Sequence, residues 1–408
     1  MQLSSTFAVL AAFVTAATAL PSKVSSTDSF GAVYMITNDL DANYVVAAEI
    51  GQDGLLSNLN SVSAQGSGAQ GQPINLGPLF SQGPVEVNQA TGRLAVVNAG
   101  SNTFQIFDID PENPTQLTPV GDAIESKGDF PESLAWNTRG DKLCVLNGGV
   151  DSSIQCYTVD EDGAATWAST GAISGYNQTA NPPTGPPGTV SQVLFTPDQE
   201  NVIGIVKGLR TDFDTYPGYF RVWDIDDNAV LGDSPTTIEI RPPYGGLTFS
   251  LSQIPGREAY VGSDVVNGAL VVDMTNGVET TVIKPLTLPN NAGNCWSVAA
   301  PKTGTYFVSD LLASYINEVK VDEDLNPSLV RQYDVAGAGP NEAVVADVNG
   351  QEFLYIMHQA NSSFGVWRLD GPGEAELVQL LNITIPIENQ GTNVDYILLS
   401  GMSIYLKE

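Results

Sequence analysis

The chain has 408 residues, of which 46 are acidic, 16 basic and one is histidine, giving a formal net charge of −30. Such a balance excludes nucleic acid and anionic membrane as partners. It also makes a polyanionic ligand awkward unless the few basic residues converge on one place.

Residues 1–19, MQLSSTFAVLAAFVTAATA, carry no charged side chain and end in a small-x-small signal, Ala17-Thr18-Ala19. They read as a secretory signal peptide, followed by an extension over 20–29. No later stretch approaches the roughly 20 apolar residues of a membrane span, so the expectation is a secreted, soluble, extracellular protein, monomeric and without membrane contact. Three sequons, at Asn177, Asn361 and Asn382, fit that route as glycosylation sites.

From Phe30 to the C-terminus one unit recurs. In "TGRLAVVNAGSNTFQIFDID" (91–110), "RGDKLCVLNGGVDSSIQCYTVDEDG" (139–163), "PGREAYVGSDVVNGALVVDM" (255–274), "TGTYFVSDLLASYINEVKVDED" (303–324) and "NGQEFLYIMHQANSSFGVWRLDG" (349–371) the order is the same. A turn leads into an apolar strand ending in a polar residue, then a short loop, then an alternating strand running into a second turn. The turn positions Gly92, Gly140, Gln199, Gly256, Gly304 and Gly350 are 46 to 59 residues apart, a period that includes propellers. The first unit, "FGAVYMITNDLDANYVVAAEIGQDG", lacks a strand in front, and "NVDYILLSG" (393–401) is available to supply it. The expectation is one all-β domain over 30–408: a seven-bladed β-propeller of four-stranded antiparallel blades, closed by a C-terminal strand and without a convincing helix.

Cys144 and Cys156 are equidistant from Val150, so a hairpin centred there opposes them. They are either a cross-strand disulfide or two small strand residues. Cys295 is then left free.

The segments "VNAGSNTFQIFDID", "FPESLAWNTRGDKLCVLNGG", "VSQVLFTPDQENVIGIVKG" and "NCWSVAAPKTGTYFVSD", in this order, resemble the secreted branch of the lactonase-type propellers, the superfamily of 6-phosphogluconolactonase and carboxymuconate cyclase. The resemblance covers essentially the whole mature chain and implies a seven-bladed fold. Cyclases of that superfamily use a histidine with a nearby carboxylate and arginines. The innermost strand of blade 4, "GTVSQVLFTPDQ", has no histidine where the lactonases commonly have one. No catalytic residue is therefore carried over from the family.

Within a blade the strands run A to D from the axis outward, so B–C and D–A loops share one face, which carries the channel mouth. The repeats place Asn38, Asn98, Asn147, Lys207, Asp264, Asp310 and the single histidine, His358, at equivalent ends of the B strands. The starts of the A strands bring Glu86, Glu132, Gln192, Trp296 and Glu342 toward the same mouth. Candidate catalytic residues are His358, Glu86, Glu132 and Glu342, as groups able to activate water. Candidate substrate-binding residues are Lys207, Arg210, Arg241, Gln192, Asn98, Asn147 and Trp296. Lys207, Arg210 and Arg241, with Lys127 nearby, suggest an anion-binding sector beside two long loops, 174–188 and 208–218. Polar residues at strand ends are also what a wet channel needs without any chemistry.

Three readings remain open: action on a lactone or related small cyclic acid by ring opening or cyclisation, with no cofactor; a non-catalytic secreted propeller that binds a ligand or partner; and a metal-dependent lactonase in which Asn98, Asn147, Asp264 and Asp310 hold a calcium-like ion. Zinc has little to bind to, with one histidine and no clustered cysteines.

Overall fold

A computed structural model describes residues 29–73, 77–176 and 178–407. The segment read as a signal peptide (1–19), the expected extension over 20–29 except Ser29, and the sequon at Asn177 lie outside those residues. Alternation dictates the architecture. In the strand Ser29–Ile36, Ala32, Tyr34 and Ile36 pack toward the second blade while Val33 and Met35 pack toward the seventh, because successive side chains leave a strand on opposite faces. Likewise Val202 and Val206 join the apolar cluster shared with blade 3, and Ile203 and Ile205 join the one shared with blade 5. A B strand covered on both faces must be apolar throughout, as "LAVV" in Arg93–Asn98 is.

Seven antiparallel sheets follow one another along the chain, six of four strands and one of five. The chain is a seven-bladed β-propeller. The innermost strands are Ser400–Leu406, Val85–Asn88, Pro131–Trp136, Val190–Phe195, Thr248–Gln253, Asn294–Ala300 and Pro340–Val348, and each packs on the next around the circle.

Closure differs in register from the sequence expectation. The strand that completes blade 1 is Ser400–Leu406, pairing Ala32 with Tyr405 and Val33 with Ile404, so "MSIYL" closes the ring and 393–399 belongs to the approach. That approach contains a five-residue α-helix, Thr384–Glu388, where no helix was expected. Its buried Ile387 plugs the cluster between blades 1 and 7.

Cys144 and Cys156 are directly opposed and bonded, with Cα atoms 4.1 Å apart, and Cys295 is free and buried. The recurrent aspartate after each C strand has a local role. Asp160, Asp226 and Asp322 each accept two backbone N–H groups of the following turn, the Asx geometry that favours aspartate there. Those bonds, from Val230 and Asn326 foremost, hold the Asp226 and Asp322 carboxyls below their ordinary range. Part of the acidity of the chain is thus turn chemistry repeated blade by blade.

Candidate functional site

The B-strand termini form the expected ring, and their side chains turn inward to latch loops. Asp264 accepts the N–H groups of Gly246 and Leu247 and the hydroxyl of Thr248. Asp310 accepts from Ala292, Gly293 and Asn294. Asn98 donates to Ala64 O, Asn147 to Ser126 O and Asn38 to Ala69 O. A chain arriving from the previous blade carries unpaired backbone groups, and a buried carboxylate or amide at a fixed height satisfies them. Asn98, Asn147, Asp264 and Asp310 accordingly serve their own loops rather than one shared point, and among the described residues no group of three His, Cys, Asp or Glu side chains is placed to hold a metal ion.

The mouth itself is closed by the chain. The connection between blades 1 and 2 sends residues 77–83 across the axis. Gly77 N–H donates to Gln359 Oε1 and Gly83 N–H to Glu342 Oε1, both on blade 7. Trp296 Nε1 on blade 6 donates to Ser81 O at 2.8 Å, and Gln82 exchanges two hydrogen bonds with the Ser297 backbone. On blade 4, Gln82 N–H reaches Ser191 O and Lys207 Nζ reaches Phe80 O at 2.7 Å; on blade 3, Ser81 Oγ donates to Glu132 O. Bonds to four blades on both sides of the axis define a plug. The Phe80 ring lies over Gly71 and Gly185, whose added Cβ atoms would come within 2.2 and 3.1 Å of it. The loop 174–188 reinforces the plug, with Gln72 N–H donating to Pro183 O and Gly185 N–H to Gln72 O.

Glu132, Lys207, Trp296 and Glu342 are thus brought together, on the chain's own segment. Lys207 is fully buried, also donates to Val190 O, and lies 4.3 Å from the centre of the Phe249 ring. Burial pushes its ammonium down to about 7, against the pull of Glu132. Burial raises Glu132 well above the ordinary carboxyl range, the Lys207 charge working the other way, and neither carboxyl oxygen has a hydrogen-bond partner. Gln192 accepts Leu251 N–H at 2.7 Å and braces blade 4 on blade 5.

The basic residues do not converge. Arg210 is exposed at the tip of the 208–218 loop. Arg241 holds that loop through the Phe213 and Asp214 carbonyls and pairs with Glu239. Lys127 is exposed and paired with Glu125. Only Lys207 reaches the channel.

His358 ends the strand Gln351–His358 as expected, opposite Pro340 and Ser363, but it is not a solvent-facing rim residue. It is 2% exposed, its Nε2 has no partner, and its ring packs so closely on Gly365 that a Cβ there would sit 2.8 Å from Nε2. Burial pushes the imidazole down to about 4, which keeps it neutral at pH 7. His358→Ala is expected to cost about 2–4 kcal/mol of unfolding free energy, the range for emptying a buried ring site. A urea midpoint equal to wild type would contradict this placement.

An open cavity of about 610 Å³ lies on the opposite side of the plug, toward the A–B turns. Its walls are the innermost strands of blades 2, 3 and 4, completed by Gln253 and Tyr260 of blade 5. Glu86 stands at its head beside the plug, its Oε1 within 3.0 Å of where a Cβ on Gly83 would lie. Glu342 is on the other side of Gly83. Burial raises Glu86 to about 8; burial, and secondarily the Glu86 charge, raise Glu342. Tyr260 lines the cavity while its hydroxyl is buried and unpartnered, and Trp136 lines it while its indole N–H is tied to Glu86 O. The cavity was not legible in the sequence, because its lining residues fall at strand positions that also read as ordinary core.

Solved structures of similar fold include two proteins named as lactonases. The chain is similar to the periplasmic gluconolactonase PpgL of Pseudomonas aeruginosa, with a TM-score of 0.67 and 15% identity over 93% of this chain and 100% of that one. It is also similar to a putative 6-phosphogluconolactonase of Bacteroides fragilis, with a TM-score of 0.62 and 15% identity over 94% and 99% of the two chains. In sequence, 204 residues are 26% identical to the 6-phosphogluconolactonase of Enterobacter sp. (strain 638), and they cover 48% of this chain and 56% of that protein. The match therefore spans little more than half of that relative. No family model matches the chain.

Proposed function

We propose that this protein is an exported propeller enzyme that opens or closes a lactone or related small cyclic acid in the channel cavity, with Glu86 as general acid and base. The observation that carries the reading is the Glu86 carboxyl, free of intramolecular hydrogen bonds, held at about 8 and facing a cavity of ligand size. In ring opening, ionised Glu86 takes a proton from water as the water oxygen bonds to the lactone carbonyl carbon. The protonated carboxyl then gives that proton to the ring oxygen as the carbon–oxygen bond breaks. The similarity to lactonases supports the substrate class. The buried Cys144–Cys156 disulfide supports export, and Asn361 and Asn382 are exposed, as glycosylation requires.

Glu86→Gln is expected to lower turnover on a panel of lactones at least tenfold, the lower range for losing a general base, with the unfolding temperature retained. Wild-type turnover in Glu86→Gln overturns the assignment. A non-catalytic ligand-binding propeller is the second reading, favoured by a cavity wall to which no lysine or arginine contributes among the described residues. It predicts that no lactone is consumed by the wild-type protein.

A further inference from the structure

We infer that the channel cavity takes an uncharged, hydroxylated ring of monosaccharide size, admitted from the A–B-turn face, and rejects the phosphorylated or carboxylated equivalent. The inference rests on the proposed use of this cavity and specifies what it selects. Access follows from the plug: residues 77–83 are bonded to blades 3, 4, 6 and 7 and seal the face on which the B–C loops lie. The cavity runs out instead between turn residues such as the exposed Gln89, Ala90 and Thr138.

Selectivity follows from charge. Among the described residues no lysine or arginine lines the cavity, and its one acidic wall residue is Glu86. Arg139 and Lys142 line an adjoining hollow of about 350 Å³ that shares Asn137, Thr138 and Gln199 with the cavity, and both are already engaged by carboxylates: Arg139 by Asp141 at 3.0 Å and Asp227 at 3.5 Å, Lys142 by Asp227 at 3.8 Å. A phosphate drawn into the cavity would lose water and gain no counter-ion, beside a carboxyl that ionises in the same pH range, in a chain of net charge −30. A neutral ring meets better partners: the Trp136 side chain as an apolar wall, the exposed Gln253 amide and the Glu86 carboxyl, which donates when protonated and accepts when ionised.

The test uses two probes that the chemistry cannot consume, D-glucose and D-glucose 6-phosphate, with binding read by saturation-transfer NMR and by tryptophan fluorescence. Glucose is expected to bind at least tenfold more tightly than its 6-phosphate. Ala90→Trp at the rim should weaken glucose at least tenfold, whereas Leu312→Trp on the sealed face should leave it unchanged. Gln253→Lys should narrow the preference by admitting the phosphate. Equal or tighter binding of the phosphate, no binding of glucose, or sensitivity to Leu312→Trp instead of Ala90→Trp overturns the inference. These outcomes separate from the catalytic reading: glucose binding without lactone turnover keeps the site and removes the enzyme. Glu86-dependent turnover without glucose binding keeps the enzyme and removes the specificity.

Discussion

Lys207→Met lowers the unfolding free energy by about 3–5 kcal/mol, the largest loss expected from any single side chain around the plug. The side chain is fully buried, and its Nζ donates to Phe80 O and Val190 O while resting on the Phe249 ring. Methionine fills nearly the same volume, so packing changes little. What changes is that two buried carbonyls lose their donor, each at about 1–3 kcal/mol. One of them, Phe80 O, belongs to the segment that closes the channel. Glu132→Gln is the contrasting variant: its carboxyl oxygens have no hydrogen bond to lose and burial already favours its neutral form, so a change within about 1 kcal/mol is expected. Urea unfolding of the two variants measures the asymmetry, and proteolysis within 77–83 of Lys207→Met reports release of the plug. Equal midpoints in Lys207→Met and wild type would show that Lys207 does not hold the plug.

The fold was legible because a propeller repeats its local rules. Apolar B strands, turn glycines and strand-terminal aspartates recur at intervals that count blades, and opposed cysteines follow from one hairpin. Closure slipped because "NVDYILLSG" and "SGMSIYL" alternate equally well. What separates them is the short helix Thr384–Glu388, which spends residues before the chain regains the axis. At the site, the repeat alignment placed the ring of polar strand ends correctly but could not say what they face. Lys207, Trp296 and Glu342 read as lining an open mouth, and the reason they do not is one non-repeating connection, 64–84, whose Gly-, Ser- and Gln-rich sequence has no periodicity from which to derive its path. His358 attracted interest as the only histidine. In the structure it shares the position of loop-latching residues, is packed against Gly365 and is held neutral by burial.

Stability is expected to fall as pH rises from 5 to 8, the reverse of what paired carboxylates usually produce. Glu86, with an ordinary value of 4.5, is raised to about 8, and Glu132 and Glu342 are raised by the same cause, burial. A raised folded-state value means that the native protein keeps protons that the unfolded chain releases. The stabilisation is complete below about 4.5 and is lost as pH climbs through the folded value, by several kcal/mol for a shift of this size. Two groups oppose it. His358 is lowered from 6.5 to about 4, so its contribution is present above 6.5 and lost as pH falls toward 4; Lys207 is lowered from 10.5 to about 7, so its contribution grows only as pH rises above 7. In each window one opposing group meets three carboxyls, and mutual repulsion within a chain of formal charge −30 acts in the same direction as the three. The carboxyls therefore decide the sign. Unfolding temperatures at pH 5, 6, 7 and 8 and constant ionic strength should decline in order, and Glu86→Gln with Glu342→Gln should flatten the decline. A midpoint that instead rises toward pH 8 would mean that these carboxyls are ionised in the native channel, and with them the chemistry assigned to Glu86 would change from a poised acid and base to a fixed negative charge.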